Sequence, residues 1–484
     1  MKPLLRFAPA VLVLAAACAT TPKSPATSPV PEAAAPQATP APETMPAPMP
    51  ASQAVPTTLT VPVEYHKLDN GLKVVLSPDH TAPTVTVGVY YGIGFRVEPR
   101  DRTGFAHLFE HLMFQGSQNL GKMQFIQLVQ SNGGVLNGST RFDFTNYFEI
   151  VPAHTLETVL WAEADRMKGL AITADNLQNQ KDVVKNEVRV NVLNQPFGGF
   201  PWLNMPQHAN TNWYNAHNFY GDLTDLDAAT LQDATSFFKT YYAPNNAAMA
   251  ITGDFEPAQA LALVTKYFGG IAAQTQPPKA DITEPRQTEE RRATETDDKA
   301  TRPALAVAWH APVRNTPEYY AMGIIDQILA SGKDSWLYQD LVQKRGLTGE
   351  INSSMNILGG MFDIQGPTLY TAWLFHDKDK SADDIVRALD ENITRLQTQP
   401  VDAETLARAR VKMRSSLYDE IESVFGFGRA NLLASFALFD DNPQQINQLE
   451  TQFAQVTPEL IQRTAQEYLR PTNRTILTVV PKQQ

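Results

Sequence analysis

A single cysteine, Cys18, occurs in 484 residues, so no disulfide can form within the chain and the fold must hold together by packing. Lysine and arginine are nowhere clustered, and the formal net charge is −11. That balance argues against a nucleic-acid partner, which needs a basic face. Aromatic residues are missing from Ala19 to Val61, where Pro, Ala and Thr dominate; such a stretch cannot bury enough surface to fold and reads as an extended tether. The apolar run Phe7 to Ala17 is too short to span a bilayer. Histidine is scarce, nine in all, which gives weight to the one place where two fall close together with an acid between them.

The N-terminus has the pattern of an export signal over residues 1–18: Lys2 and Arg6 form a basic start, Phe7 to Ala17 the apolar part, and Ala15-Ala16-Ala17 a small-residue processing site. Cys18 follows at once. The arrangement resembles a bacterial lipoprotein signal with Cys18 as the lipidated position, although Ala15 departs from the usual Leu. Non-acidic Ala19 resembles the pattern sorted to the outer membrane. The expected location is the envelope of a Gram-negative bacterium, periplasmic and lipid-anchored, with residues 19–61 as the tether.

Beyond the tether, a chain with 43% hydrophobic residues can fill sizeable cores, and its length predicts more than one domain. A polar, Pro-containing stretch over residues 275–302 predicts a linker between blocks at 62–274 and 303–484. The blocks look like diverged copies. The first ends in Tyr242-Ala243-Pro244-Asn245-Asn246 and a strand, Ala247 to Thr252; the second ends in Leu469-Arg470-Pro471-Thr472-Asn473 and a strand, Thr475 to Val480. Strands are also predicted at Leu72–Leu76, Thr84–Tyr91 and Ala304–Trp309, and helices at Pro317–Leu329 and Ala403–Tyr418. The fold class is α+β: two homologous domains, each a mainly antiparallel sheet packed with helices.

Residues 107–111 read His107-Leu108-Phe109-Glu110-His111. On a helix the two histidines lie one turn apart on one face, so both imidazoles can reach one metal ion, and Glu110 falls in the same arc. Phe105, Leu108, Phe109 and Leu112 form an apolar stripe on the other side. Zinc takes imidazole and carboxylate ligands, and a catalytic zinc keeps three of them plus a water. A carboxylate beside the ligands, not bound to the metal, suits the base that takes that water's proton. The motif is the inverse of the commoner His-Glu-x-x-His and is itself a zinc-peptidase signature.

A third ligand is offered by Glu187, in a helical segment from Asn179 to Asn194. Val183, Val184, Val188 and Val190 are read as sharing its face, with Lys181, Lys185 and Arg189 opposite. A carboxylate on an apolar face with no cation one turn away needs a partner or a metal. His154, His208, His217, His310 and His376 have no neighbours of ligand type, and His217 is expected to be structural.

Around these residues the chain resembles the pitrilysin/insulinase family, which includes the mitochondrial processing peptidases. The likeness is carried by Gly92-Ile93-Gly94-Phe95-Arg96-Val97-Glu98, Gly104 through His111 with Phe114 and Gly116, Gly133 through Thr140, Asp143-Phe144-Thr145-Asn146-Tyr147, and Val183-Val184-Lys185-Asn186-Glu187. It implies two homologous α+β domains, one Zn2+ per chain held by His107, His111 and Glu187, and Glu110 as general base. It also implies that an extended peptide substrate adds as a strand to a sheet edge near Gly134, Val135 and Asn137, a mode with a physical basis in the unpaired main-chain groups of an edge.

Two departures qualify the resemblance. Gln180 stands where the family has a second glutamate, so a role for it in supporting a ligand or water is expected. More consequential, the family's Arg and Tyr that hold the substrate carbonyl and oxyanion fall on Val342 and Gly349, neither of which can donate, unless Arg345 substitutes. The sequence therefore predicts the zinc-bearing subunit of a heterodimer, a metalloendopeptidase acting on unfolded peptides, whose homologous partner supplies the Arg/Tyr pair. A non-catalytic scaffold or a peptide-binding envelope lipoprotein of the same fold is the alternative.

Overall fold

Eleven strands fall into two sheets whose orders repeat each other. The first sheet contains β1 (Glu64–Lys67), β2 (Lys73–Pro78), β3 (Thr84–Tyr91), β4 (Val135–Thr140), β5 (Thr145–Pro152) and β6 (Ala247–Gly253), in the order β1-β2-β6-β3-β5-β4. The second contains β7 (Arg291–Asp297), β8 (Ala304–His310), β9 (Asn352–Ser354), β10 (Leu369–Phe375) and β11 (Arg474–Pro481), in the order β7-β11-β8-β10-β9. Leaving out β1, each strand of one sheet has its counterpart five strands later. In both, the first strand pairs parallel with the last, β2 with β6 and β7 with β11, and the remaining pairs are antiparallel. The computed structural model describes residues 59–482. The signal, Cys18 and nearly all of the expected tether lie outside the described residues.

Four helices matter for the site and its frame: α1 (Phe105–Leu112), α2 (Ala174–Val188), α3 (Asn204–Ala209) and α4 (Phe427–Asp440). Strand alternation explains how they pack. On β3 and β6 the residues Val85, Val87, Val89, Tyr91, Met249 and Ile251 enter a core shared with Phe105, Leu108, Phe109 and Leu112 of α1. The intervening residues Thr86, Gly88, Tyr90, Ala248 and Ala250 face the other way and are also buried. That second face is covered by α4, from the second block, which meets β2, β3 and β6. Its small side chains let the helix approach closely, and Tyr90 donates a 2.8 Å hydrogen bond to Asn431 of α4. The second sheet is closed reciprocally, since Met205 and Ala209 of α3, from the first block, pack on Ala304, Ala306 and Ala308 of β8. Each block thus completes the core of the other, and Val61 onward gathers into one unit.

One boundary differs from the sequence expectation. Residues 275–302 carry β7, not linker alone: Arg291 to Asp297 pairs along its whole length with β11. Its alternation is of intermediate and exposed positions with almost no apolar residue, so hydrophobic periodicity could not reveal it; charge of this kind is how proteins blunt an outer strand. At the far edge of the first sheet, β4 pairs with β5 alone, from Val135 opposite Ile150 to Thr140 opposite Thr145. Among the described residues no helix is long and apolar enough to cross a membrane.

Candidate metal centre

The start of α1 is built before the histidines arrive. Gly104 has φ 81°, and a Cβ there would lie 2.5 Å from the Tyr220 carbonyl oxygen, so only glycine serves. The first turn has no capping side chain of its own. Glu98 provides one from outside, its carboxylate accepting from the backbone N–H groups of Gly104 (2.9 Å) and Ala106 (2.5 Å). Burial pushes the Glu98 carboxyl up, against the pull of His217 and those two N–H groups. His217 is structural, as expected: its ring nitrogens face the carbonyls of Trp213 (3.0 Å) and Phe95 (2.7 Å).

His107 and His111 then project from α1 toward Glu187 of α2. His107 Nε2 and His111 Nε2 are 3.4 Å apart. His107 Nε2 lies 3.5 Å from Glu187 Oε1, and His111 Nε2 lies 3.2 Å from Glu187 Oε2. Four ligands about 2.0–2.1 Å from a tetrahedral zinc ion stand roughly 3.3–3.4 Å from one another. Each imidazole thus lies about one such edge from a Glu187 oxygen, though each from a different one, and one ligand atom from each residue falls within 4.8 Å of the others. They are also the one group of three or more His, Cys, Asp or Glu among the described residues with this convergence. The buried Glu187 Oε2 and His107 Nδ1 have no hydrogen-bond partner; an oxygen so placed fits a cation.

The electrostatics follow from burial and proximity. Burial, then the neighbouring His111 imidazole, pushes His107 below its ordinary value. Burial acts the same way on His111, but the Glu187 carboxylate 3.2 Å away, with the Glu110 charge, more than offsets it, and its pKa rises. Burial would raise Glu187, yet the two imidazoles and the Tyr220 hydroxyl hold it below the usual carboxylate range.

Glu110 stands beside this group and outside it. Its Oε2 accepts a 2.7 Å hydrogen bond from Thr140 Oγ1 at the end of β4. A Cβ on Gly138 would lie 3.2 Å from Glu110 Cγ, so the edge strand runs directly past the carboxylate. Val135 is 56% exposed. Gly134 is wedged at the root of the strand, where a Cβ would meet Val151 Cγ1 at 2.6 Å. The Asn137 amide oxygen accepts from the N–H of Gly138 at 2.9 Å; Val135 and Asn137 thus lie on the edge strand and Gly134 just before it, while the residues of that strand that meet Glu110 are Gly138 and Thr140.

Several expectations need correction. The face assigned to Glu187 was misread: Val183 is 38% and Val190 46% exposed, whereas Lys181 is buried. Lys181 is held by its ammonium donating to the carbonyls of Asp227 (2.7 Å) and Ala229 (3.2 Å), a carbonyl pair that no helix periodicity reveals. Gln180 is buried, but its amide donates to Asn179 at 2.9 Å and, among the described residues, to no ligand. Arg345 is engaged by Asp340 at 3.1 Å and by Glu391, so it is committed within its own block. Around Gly349 an added Cβ would meet nothing within 4 Å.

Three contributing residues escaped the sequence reading. Glu98 and Thr140 lay at the ends of runs quoted for the resemblance, with nothing to mark their roles. Tyr220 has no signal in spacing, yet its hydroxyl lies 3.3 Å from Glu187 Oε1 and its ring meets the His107 ring edge-on at 5.0 Å. Burial, then the charge of Glu187, pushes that hydroxyl above its ordinary value.

Residues 73–197 match the family model described as insulinase, peptidase family M16, and residues 228–413 match the model of the peptidase M16 inactive domain. The zinc protease PqqE of Helicobacter pylori is 26% identical over 423 residues, 86% of this chain and 92% of that one. The crystal structure of a protease from Helicobacter pylori is similar with a TM-score of 0.79 and 26% identity, covering 87% of this chain and 100% of that chain. The periplasmic protease PqqL from Escherichia coli shares the fold with a TM-score of 0.69 at 18% identity, over 88% of this chain and 48% of that one. With two models of the family matching successive stretches of it, 73–197 and 228–413, the chain belongs to the insulinase family of peptidases, M16.

Proposed function

We propose that this chain is a zinc metalloendopeptidase that hydrolyses extended peptides in the cell envelope, and that it works as the zinc-bearing subunit of a heterodimer. The observation that carries the reading is the convergence of His107, His111 and Glu187 beside a separately held carboxylate, at the open edge of a sheet. Relatives named zinc proteases support the choice of metal.

A bound zinc ion would supply a water acidic enough to ionise near neutral pH and would polarise the scissile carbonyl. His107, His111 and Glu187 would hold it. Glu110, pinned on one oxygen by Thr140, uses the other to take the water's proton and passes it to the leaving amine. The main chain from Gly134 through Asn137 offers unpaired groups on which a substrate lies as an added strand, its scissile bond beside Glu110.

Oxyanion donors are missing from the places where the resemblance puts them, Val342 and Gly349, and Arg345 is committed to Asp340 and Glu391. Such donors carry a large share of peptide-hydrolysis catalysis, so a second, homologous chain is required to face the site. The chain spans 48% of the length of Escherichia coli PqqL, which accords with a complete peptidase needing two such halves. The proposed place is the periplasmic side of the outer membrane, tethered through lipidated Cys18, with the first block (62–274) catalytic.

Zinc analysis of the purified chain, with peptide cleavage measured alone and after co-purification from the native envelope, tests the reading. Expected are close to one zinc per chain, poor cleavage alone and strong cleavage with the partner. Absence of zinc would overturn the whole proposal; full activity from the chain alone would overturn the heterodimer.

A further inference from the structure

We infer that Tyr220 is a positioning residue which pins one oxygen of Glu187 and so fixes the orientation in which this ligand meets the ion. The inference rests on Glu187 being a metal ligand and adds how that ligand is held. Three observations support it.

The first is the contact itself. The hydroxyl of a buried tyrosine needs a partner, and the partner of Tyr220 is Glu187 Oε1 at 3.3 Å. Glu187 Oε2, 3.2 Å from His111 Nε2, is left without a hydrogen bond. The two oxygens are thereby distinguished before any ion arrives.

The second is that the position of Tyr220 is set by the ligand helix, not by the metal. Gly221, at φ 68°, approaches so closely that a Cβ would lie 2.3 Å from the Gly104 nitrogen, and Gly104 in turn abuts the Tyr220 carbonyl. Asp222 N–H donates to Thr103 Oγ1 at 2.8 Å, and Thr103 Oγ1 donates to Asp225 Oδ2 at 2.6 Å. The segment carrying Tyr220 is mortised to Thr103 and Gly104, which lead into α1 four and three residues before His107.

The third is that the same ring touches a second ligand, meeting His107 edge-on at 5.0 Å and 76°. One side chain therefore bridges ligands from two helices that are far apart in sequence. Groups of this kind, which orient metal ligands without touching the metal, change metal affinity by about 10–100-fold when removed.

The test uses the full chain and zinc itself, by competition with a chelator, without reference to cleavage. Tyr220→Phe removes only the hydroxyl; we expect zinc affinity to fall about 10-fold or more. The visible spectrum of the cobalt-loaded chain should also change, as Glu187 loses its fixed orientation. Tyr319→Phe removes a buried hydroxyl bonded to the Met361 carbonyl in the second block and should leave zinc affinity unchanged. An unchanged affinity and cobalt spectrum in Tyr220→Phe would overturn the inference, as would an equal loss in Tyr319→Phe, which would mean general loosening. If the unaltered chain fails to bind zinc, the proposed function falls first.

Discussion

Zinc binding should release one proton per ion around pH 6.5, although two histidines bind. In the metal-free site His111 has a pKa raised above 6.5, because the carboxylate 3.2 Å away favours its charged form. His107 has a pKa lowered below 6.5, because burial and the adjacent imidazole disfavour charge there. Glu187, below 4.5, is ionised throughout this range. The sign follows directly. A proton held by His111 must leave before the ion binds, so affinity is full above the raised pKa and falls as pH drops through it. Below the raised pKa of His111 the loss of one proton makes the fall approach tenfold for each pH unit, about 1.4 kcal/mol. It steepens toward a hundredfold only below the lowered pKa of His107. Calorimetry in two buffers of different ionisation heat counts the protons directly, and chelator competition across the same pH range gives the slope. Release of two protons near pH 6.5 would mean that His107 is also charged in the free site, and release of none that Glu187 does not hold a proton on His111. Either result refutes the reasoning.

Glu110→Gln should lower peptide cleavage by the assembled enzyme by about 10²–10⁴-fold while zinc stays near one per chain; loss of metal would make Glu110 a ligand instead. Asp143→Asn strikes the buried pair with Arg96, 2.8 Å apart, whose carboxylate also accepts from Gln365 and Gly366 of the second block. It should cost about 3–5 kcal/mol in denaturant unfolding. Gly134→Val would press a side chain on Val151, Ile150 and Val129, where a Cβ alone comes within 2.6–2.9 Å. An overpacking loss of about 1–3 kcal/mol in the unfolding free energy is expected, with zinc affinity kept.

Much of the frame was legible because it follows local periodicity. The strand at Thr84–Tyr91 and the helix at Pro317–Leu329 have the predicted ends, since alternating or helically spaced apolar residues must bury one face. The repeated Pro-Asn endings did mark a real duplication, visible in the matching strand orders of the two sheets. Strand β7 is hidden by its charge, and the faces of the segment carrying Glu187 differ from the periodic expectation because Lys181 finds backbone carbonyls inside the fold, while Val183 and, beyond the end of α2, Val190 remain at the surface.

For the site, the sequence alone determined which atoms could bind a metal: two imidazoles one turn apart and a carboxylate lacking a local cation, with an acid between the histidines. These are properties of one helix and one segment, settled by spacing. Tertiary structure decided everything that depends on distant segments meeting. It brought Glu187 within 3.2–3.5 Å of both imidazoles, set Thr140 on Glu110 and Tyr220 on Glu187, and capped α1 with Glu98. It also bound Arg345 away within the second block. Hydrogen bonds and ion pairs act over a few ångströms, and sequence distance says nothing about which groups will come that close.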